Sequence, residues 1–167
     1  MQGSNPPVRG VTPQAEPDEL ASEAQESILS KKSRSKGARG ELELITVVKE
    51  RFPDLDLQRN YDQAAVGGCD LIGIPGIALE VKRYQRGNVY RREWWQQACE
   101  QARHHEVPVL AYRFDQMKWQ AVMPLQWLAD EVVNDCQKIA LMPFDDFLNE
   151  LESKWLRKNS LELAVKN

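Results

Sequence analysis

Asp70-Leu-Ile-Gly-Ile-Pro-Gly-Ile-Ala-Leu-Glu80-Val-Lys82 is the stretch on which the reading of this chain turns. An acid is followed ten residues later by a second acid and, two residues on, by a lysine. The residues between are apolar, with Pro75-Gly76 at their middle, a pattern that predicts a β-hairpin. From Ile77 to Arg83 the odd positions Ile77, Leu79 and Val81 are apolar, so Glu80 and Lys82 share the other face of the strand. Asp70 joins them only if it stands opposite Glu80. That requires a turn centred on Pro75 with an odd number of loop residues, because a two-residue Pro-Gly turn would set Asp70 opposite Val81, on the wrong face. The expected connection is therefore three residues long, or bulged. Two carboxylates so placed can hold a hard cation such as Mg²⁺. A lysine beside them can position a nucleophile or offset charge on a phosphate. Acids on a strand also occur simply as a solvated face, and the spacing alone leaves both readings open.

The 167 residues suit one domain of moderate size with tails, and 42% hydrophobic content is enough for a core. No run approaches the ~20 apolar residues of a membrane span, and the opening Met1-Gln-Gly-Ser-Asn-Pro-Pro has no signal-peptide pattern. Cys69, Cys99 and Cys136 are an odd, widely spaced set that matches neither a disulfide framework nor a zinc cluster. The expectation is reduced thiols in a cytoplasmic protein, with Cys69 a small packed residue and not a nucleophile. The net charge of −3 does not advertise a polyanion partner, but its distribution is uneven. Residues 1–29 carry five acids and one arginine, whereas residues 30–40 carry Lys31, Lys32, Arg34, Lys36 and Arg39 and no acid. Residues 82–92 add Lys82, Arg83, Arg86, Arg91 and Arg92. From 124 onward eight acids face five bases. Local basic runs on either side of the acid pair matter more to a polyanion than the total.

Along the chain, residues 1–35 read as a disordered polar tail, with at most a short helix over Ala21 to Leu29. The ordered domain is expected to begin near Gly37. Glu41 to Phe52 reads as a helix whose apolar stripe is Ile45, Val48 and Phe52, with Leu44 and Val47 flanking it. Glu41 then lies toward the buried side, unlike Glu43; favourable charge at a helix N-terminus is the plain alternative for it. Asp56 to Tyr61 is a candidate strand, followed by the hairpin strands 69–74 and 77–83. A helix over Val89 to His105 follows, with Gln97 on one face with Tyr90, Trp94 and Gln101. Strands are expected at Pro108 to Phe114 and Lys118 to Met123, then a helix at Leu125 to Val133. Phe144, Phe147, Leu148, Leu151 and Trp155 fall at helical spacing and must cover a core or a partner. The order predicts an α/β sandwich around one mixed sheet flanked by helices. The expected division is a tail at 1–35, a core domain at 36–135 and a C-terminal helical extension at 136–167.

Several stretches together resemble the PD-(D/E)xK nuclease superfamily with its restriction-endonuclease-like core. They are Gly37-Ala-Arg-Gly-Glu41 opening a helix, Arg59-Asn-Tyr-Asp-Gln63, Gly67-Gly-Cys-Asp70, Glu80-Val-Lys-Arg83, Trp94-Trp-Gln-Gln97 and Pro108-Val-Leu-Ala-Tyr-Arg113. Within the superfamily the chain is most similar to Holliday-junction resolvases, especially phage-encoded ones, over about residues 36 to 124. Cys69 stands where the family's first motif usually has proline.

The resemblance implies a metal-dependent endonuclease acting on branched DNA and leaving a 5′-phosphate. It implies Mg²⁺ or Mn²⁺ held by Asp70, Glu80 and the Val81 carbonyl, with Glu41 completing the acidic cluster. Lys82 would orient the attacking water and stabilise the phosphorane-like transition state, and Gln97 would contact the metal-bound water or the phosphate. Phosphodiester hydrolysis needs an activated water and neutralised phosphate oxygens, and a divalent cation supplies both. Lys36, Arg39, Arg59, Asn60, Arg83, Arg86, Arg91 and Arg92 would contact DNA, the arginines interleaving with Tyr84 and Tyr90; an ordinary solvated loop is the alternative. Symmetric cutting of a four-way junction calls for two sites, hence a homodimer, for which the 144–156 helix and the tryptophans are interface candidates. The other readings are a less selective nuclease of the same fold, and a DNA-binding or protein-interaction module with a vestigial site. A phage-encoded protein would work in the host cytoplasm.

Overall fold

A computed structural model describes residues 36–63, 67–129 and 136–165, with side chains through 157. The expectations for residues 1–35, including Lys31, Lys32 and Arg34, lie outside the described residues, as does most of the helix expected after Leu128.

Residues 36–51 form the first helix, α1. Gly37 and Gly40 are inside it, so the helix is in place before Glu41. Its buried line is Leu44 and Val48, both fully buried, while Ile45, Val47 and Phe52 pack only partly against the core. The apolar stripe is thus turned from the Ile45–Val48–Phe52 expectation. The reason is Gly40, one turn before Leu44: a Cβ there would lie 2.9 Å from the Arg83 Cβ. The glycine is where the helix comes closest to the sheet, and Leu44 and Val48 continue that line.

The strands are β1 (Gln58–Arg59), β2 (Leu71–Ile72), β3 (Ile77–Tyr84), β4 (Val107–Phe114), β5 (Gln120–Pro124) and β6 (Ile139–Pro143). They form one mixed sheet in the order β1-β2-β3-β4-β5-β6. Only β3 and β4 are parallel; the other neighbours run antiparallel. The parallel pair requires a crossover, and α2 (Arg92–Gln101) makes it. This helix is shorter at both ends than the sequence suggests, and His104 and His105 lie in the turn beyond it. The short helix α3 (Leu125–Leu128) joins β5 to β6, and α4 (Phe144–Val165) closes the chain.

Each face of the sheet has its own cover. Odd-numbered Ile77, Leu79, Val81, Val109, Ala111, Ala121 and Met123 pack with α1 and with Phe144, Phe147, Leu148 and Leu151 of α4. Even-numbered Leu110, Tyr112, Phe114 and Val122 pack with Trp94, Trp95 and Ala98 of α2.

Two expectations are corrected here. Segment 136–167 is not purely helical: β6 adds a strand to the sheet, so the domain does not end at 135. Ile139 to Pro143 is too short and apolar for its period to separate strand from helix. The apolar stripe of α4 is also not left over for a partner. It covers the protein's own sheet, and Trp155 meets Phe52 edge-on at 5.0 Å. Trp94, Trp95 and Trp119 are buried and Trp127 packs on Phe147, so these tryptophans are spent inside the fold.

Candidate functional site

The hairpin that carries the acid pair has the register Leu71↔Leu79. The next position outward sets Asp70 across from Glu80, the parity that the pair requires. Gly73 to Gly76 lie between the strands, and Leu71 pairs with Leu79 where a symmetric four-residue loop would pair it with Ala78, so the connection is the bulged one expected. The Ile77 N–H donates to the Ile74 carbonyl at 3.2 Å, and Gly76 has φ +73°, so Pro75-Gly76 occupies the centre of a type II turn. Gly73 has φ +117°, and a Cβ there would sit 2.2 Å from the Asp56 carbonyl oxygen, so only glycine fits.

Asp70 is held at both oxygens. The backbone N–H of Val81 donates to Oδ2 at 2.8 Å, so the carboxylate takes a ladder position beyond the end of β2. The Gln63 side chain donates from Nε2 to Oδ1 at 3.0 Å. In an extended strand the N–H and C=O of one residue point to the same side, so the Val81 carbonyl faces this edge too. Asn60 secures the neighbouring loop. Its N–H donates to the Asp70 carbonyl at 2.8 Å and its side chain to the Cys69 carbonyl at 2.9 Å.

Among the described residues Glu80 is the one charged residue that is buried, with 0% exposure. It lies in central strand β3 beside Leu110 of β4, on the face that α2 covers. Oε1 accepts from Lys82 Nζ at 2.6 Å, and Oε2 is buried with no hydrogen-bond partner. Burial first, and then the adjacent Asp70 charge, push the Glu80 carboxyl up to about 7 against the opposing pull of Lys82. Two ionised carboxylates offer each other only acceptors. The gap between them therefore takes a proton or a cation. A hard divalent ion suits that donor set, so the residues present fit Mg²⁺ or Mn²⁺.

Glu41 is not brought into this pair. Its carboxylate is engaged by Arg59 Nε, and among the described residues no three of His, Cys, Asp and Glu converge as a ligand group. Gln97 is half-buried on α2, and no hydrogen bond joins it to Asp70, Glu80 or Lys82 among the described residues.

The residues expected on DNA divide into two sets. Lys36 is paired with Asp115 at 2.6 Å, Arg59 with Glu41, and Arg83 with Glu43 at 3.1 Å. Asn60 is used up by its loop. Arg39, Arg86, Arg91 and Arg92 are exposed. Arg83 points to the α1 face, as its odd number dictates, and so away from Lys82.

Two contributors lack a sequence signal. Gln63 is separated from Asp70 by a Gly67-Gly68 loop, and no periodicity spans such a loop. Glu43 accepts from Arg83, Arg113 and Trp119, partners whose strand positions only the register defines. Cys69 is the packed thiol expected: it is 7% exposed, its Sγ donates to the Leu71 carbonyl, and burial raises its pKa. No helix among the described residues is long and apolar enough to cross a membrane. Comparison with family models, with curated proteins and with solved structures returns no match to this chain.

Proposed function

We propose that the protein is a metal-dependent, structure-selective DNA endonuclease of the PD-(D/E)xK type, similar to Holliday-junction resolvases. One observation carries the reading: a fully buried carboxylate, Glu80, presents an oxygen without a donor beside Asp70, with Lys82 on its other oxygen. A buried charge left unpaired is costly, and a cation between the two acids removes that cost.

In this reading Asp70, Glu80 and the Val81 carbonyl hold Mg²⁺ or Mn²⁺. The ion, when bound, acidifies a water and offsets charge on the phosphate. The Gln63 amide and the Val81 N–H fix the Asp70 carboxylate so that a lone pair on each oxygen remains available. Lys82 is 18% exposed at its side chain, with its Nζ 2.6 Å from Glu80 Oε1. From there it supplies a point charge and donors to the scissile phosphate and orients the attacking water. Glu41 acts through its ion pair with Arg59 and not as a ligand. Two sites are needed to cut a four-way junction symmetrically, which a C2 homodimer provides.

The test incubates the full chain with labelled duplex, single-stranded, flap and four-way-junction DNA, in Mg²⁺ or in EDTA. Paired nicks in the junction, lost in EDTA and in Asp70→Asn while junction binding persists, are the expected outcome. Cutting of every substrate would indicate a general nuclease. Junction binding with no cleavage under any metal would replace the proposal with a binding module, a reading that the Arg59-neutralised Glu41 would favour.

A further inference from the structure

We infer that the exposed ring of Tyr84 is a stacking surface for a base whose face is free, one nucleotide from the scissile phosphate, and that this contact supplies the preference for branched DNA. The inference rests on the nuclease reading above.

Glu80, Lys82 and Tyr84 are successive even positions of β3 and so share a face, with Tyr84 roughly 7 Å beyond Lys82. That is about the length of one nucleotide. The Tyr84 ring stacks on Trp94 with centroids 4.5 Å apart and planes 18° from parallel. Trp94 is buried and packs in turn on Phe114, which pairs with Tyr84 across the strands. The three rings form a cluster anchored in the core, of which Tyr84 is the 39% exposed member. With Trp94 stacked against one side of the Tyr84 ring, a further flat ring has a place to continue the stack.

The charge around it points to a polyanion. Arg51, Arg59, Arg83 and Arg113 are all paired with carboxylates. Arg86, Arg91 and Arg92 have no carboxylate partner among the described residues, and all three lie in the segment around Tyr84. Arg91 is held beside the stacked pair, 5.6 Å from the Tyr84 ring and 5.5 Å from the Trp94 ring. An exposed aromatic ring with an unneutralised guanidinium held beside it is the composition that binds unpaired nucleic acid.

Selectivity follows from geometry. In a continuous duplex both faces of every base are already stacked. Only a branch point, a gap or an end offers a free face, so Tyr84 adds affinity there and nowhere else.

The test uses the full chain as wild type and as Tyr84→Ala, Tyr84→Leu, Tyr84→Phe and Tyr84→Trp. Binding is measured on a four-way junction carrying 2-aminopurine at each branch-point position in turn, and on a duplex of the same sequence. The wild type is expected to change the fluorescence at one branch-point position. Tyr84→Ala and Tyr84→Leu lose that change and bind the junction about 5- to 100-fold more weakly, with duplex binding unaltered. Tyr84→Phe and Tyr84→Trp restore both. Leu keeps an apolar cover over Trp94, so it decides the matter if Ala does not fold. Unchanged junction binding in the Ala or Leu variant, or equal loss on junction and duplex, overturns the inference. Mg²⁺-dependent cleavage by the wild type is scored separately. Its absence would refute the nuclease reading, while its retention, junction preference included, in Tyr84→Leu would refute the stacking role alone.

Discussion

Glu80 is the residue at which burial, charge and the proposed function meet. Its carboxyl is raised from the ordinary 4.5 to about 7, chiefly by burial and then by Asp70. Between those values the folded chain binds more proton than the unfolded one, so the metal-free protein must lose stability as pH rises from about 4.5 to about 7. The loss levels off above that window and amounts to about 3 kcal/mol at most. Glu80→Gln cannot titrate. In EDTA, its urea-unfolding free energy should fall less than that of the wild type between pH 5 and pH 8. Identical pH slopes in the two proteins would show that Glu80 does not carry the effect. The same proton competes with a cation for the gap beside Asp70, so Mg²⁺ should bind more tightly as pH rises through about 7, releasing a proton as it does. Calorimetry at pH 6 and pH 8 in two buffers of different ionisation enthalpy would register both. A pH-independent affinity would place the ion elsewhere. Alternation along β3 was enough to put Glu80 and Lys82 on one face. That Glu80 is wholly buried was not legible, because it depends on β4 and α2 closing over it.

At the scale of elements, α4 shows why an amphipathic stripe is ambiguous on its own. Phe144, Phe147, Leu148 and Leu151 recur at helical spacing, a period that states that the face is covered without stating by what. The answer is the odd face of the sheet. Phe147 is fully buried and packs against Trp127 at 5.4 Å and Phe144 at 5.4 Å. Phe147→Ala should therefore cost about 3–5 kcal/mol of stability, read by chemical unfolding. A cost under about 1 kcal/mol, of the size seen at surface positions, would mean that the helix docks elsewhere. The hairpin is a second case. The sequence left the facing of Asp70 and Glu80 conditional on an odd or bulged connection, and that connection depends on Gly73 closing against the Asp56 carbonyl, a contact with a segment seventeen residues upstream.

At the scale of the molecule, Glu43 ties α1 to the sheet. It accepts from Arg83 of β3 at 3.1 Å and pairs with Arg113 of β4 at 2.6 Å, while Lys36 reaches Asp115 just beyond β4. Arg83 and Arg113 are cross-strand neighbours in the parallel pair, so one acid offsets two adjacent like charges. Glu43→Ala leaves both guanidiniums part-buried without that acceptor. The cluster is partly open to water, which limits the penalty to about 1–2 kcal/mol. Hydrogen exchange should show α1 opening more readily in this variant, and protection equal to wild type would mean that packing of Leu44 and Val48 alone holds the helix. This network also takes Arg83 out of the set proposed to contact DNA, although the basic run 82–92 reads as uniform in sequence.

Sequence by itself determined the face-sharing of Glu80 and Lys82 and the order of elements from α1 to β5. Each follows from the period of a strand or helix, and a period is a local property. Tertiary structure alone decided that β6 joins the sheet, that α4 covers this chain's own core, and that Glu41 pairs with Arg59 and not with the acid pair. It also decided that Gln63 reaches Asp70 and that Tyr84 stacks on Trp94. These depend on which surfaces meet, and residues far apart in the chain meet only once the register of the whole sheet is set.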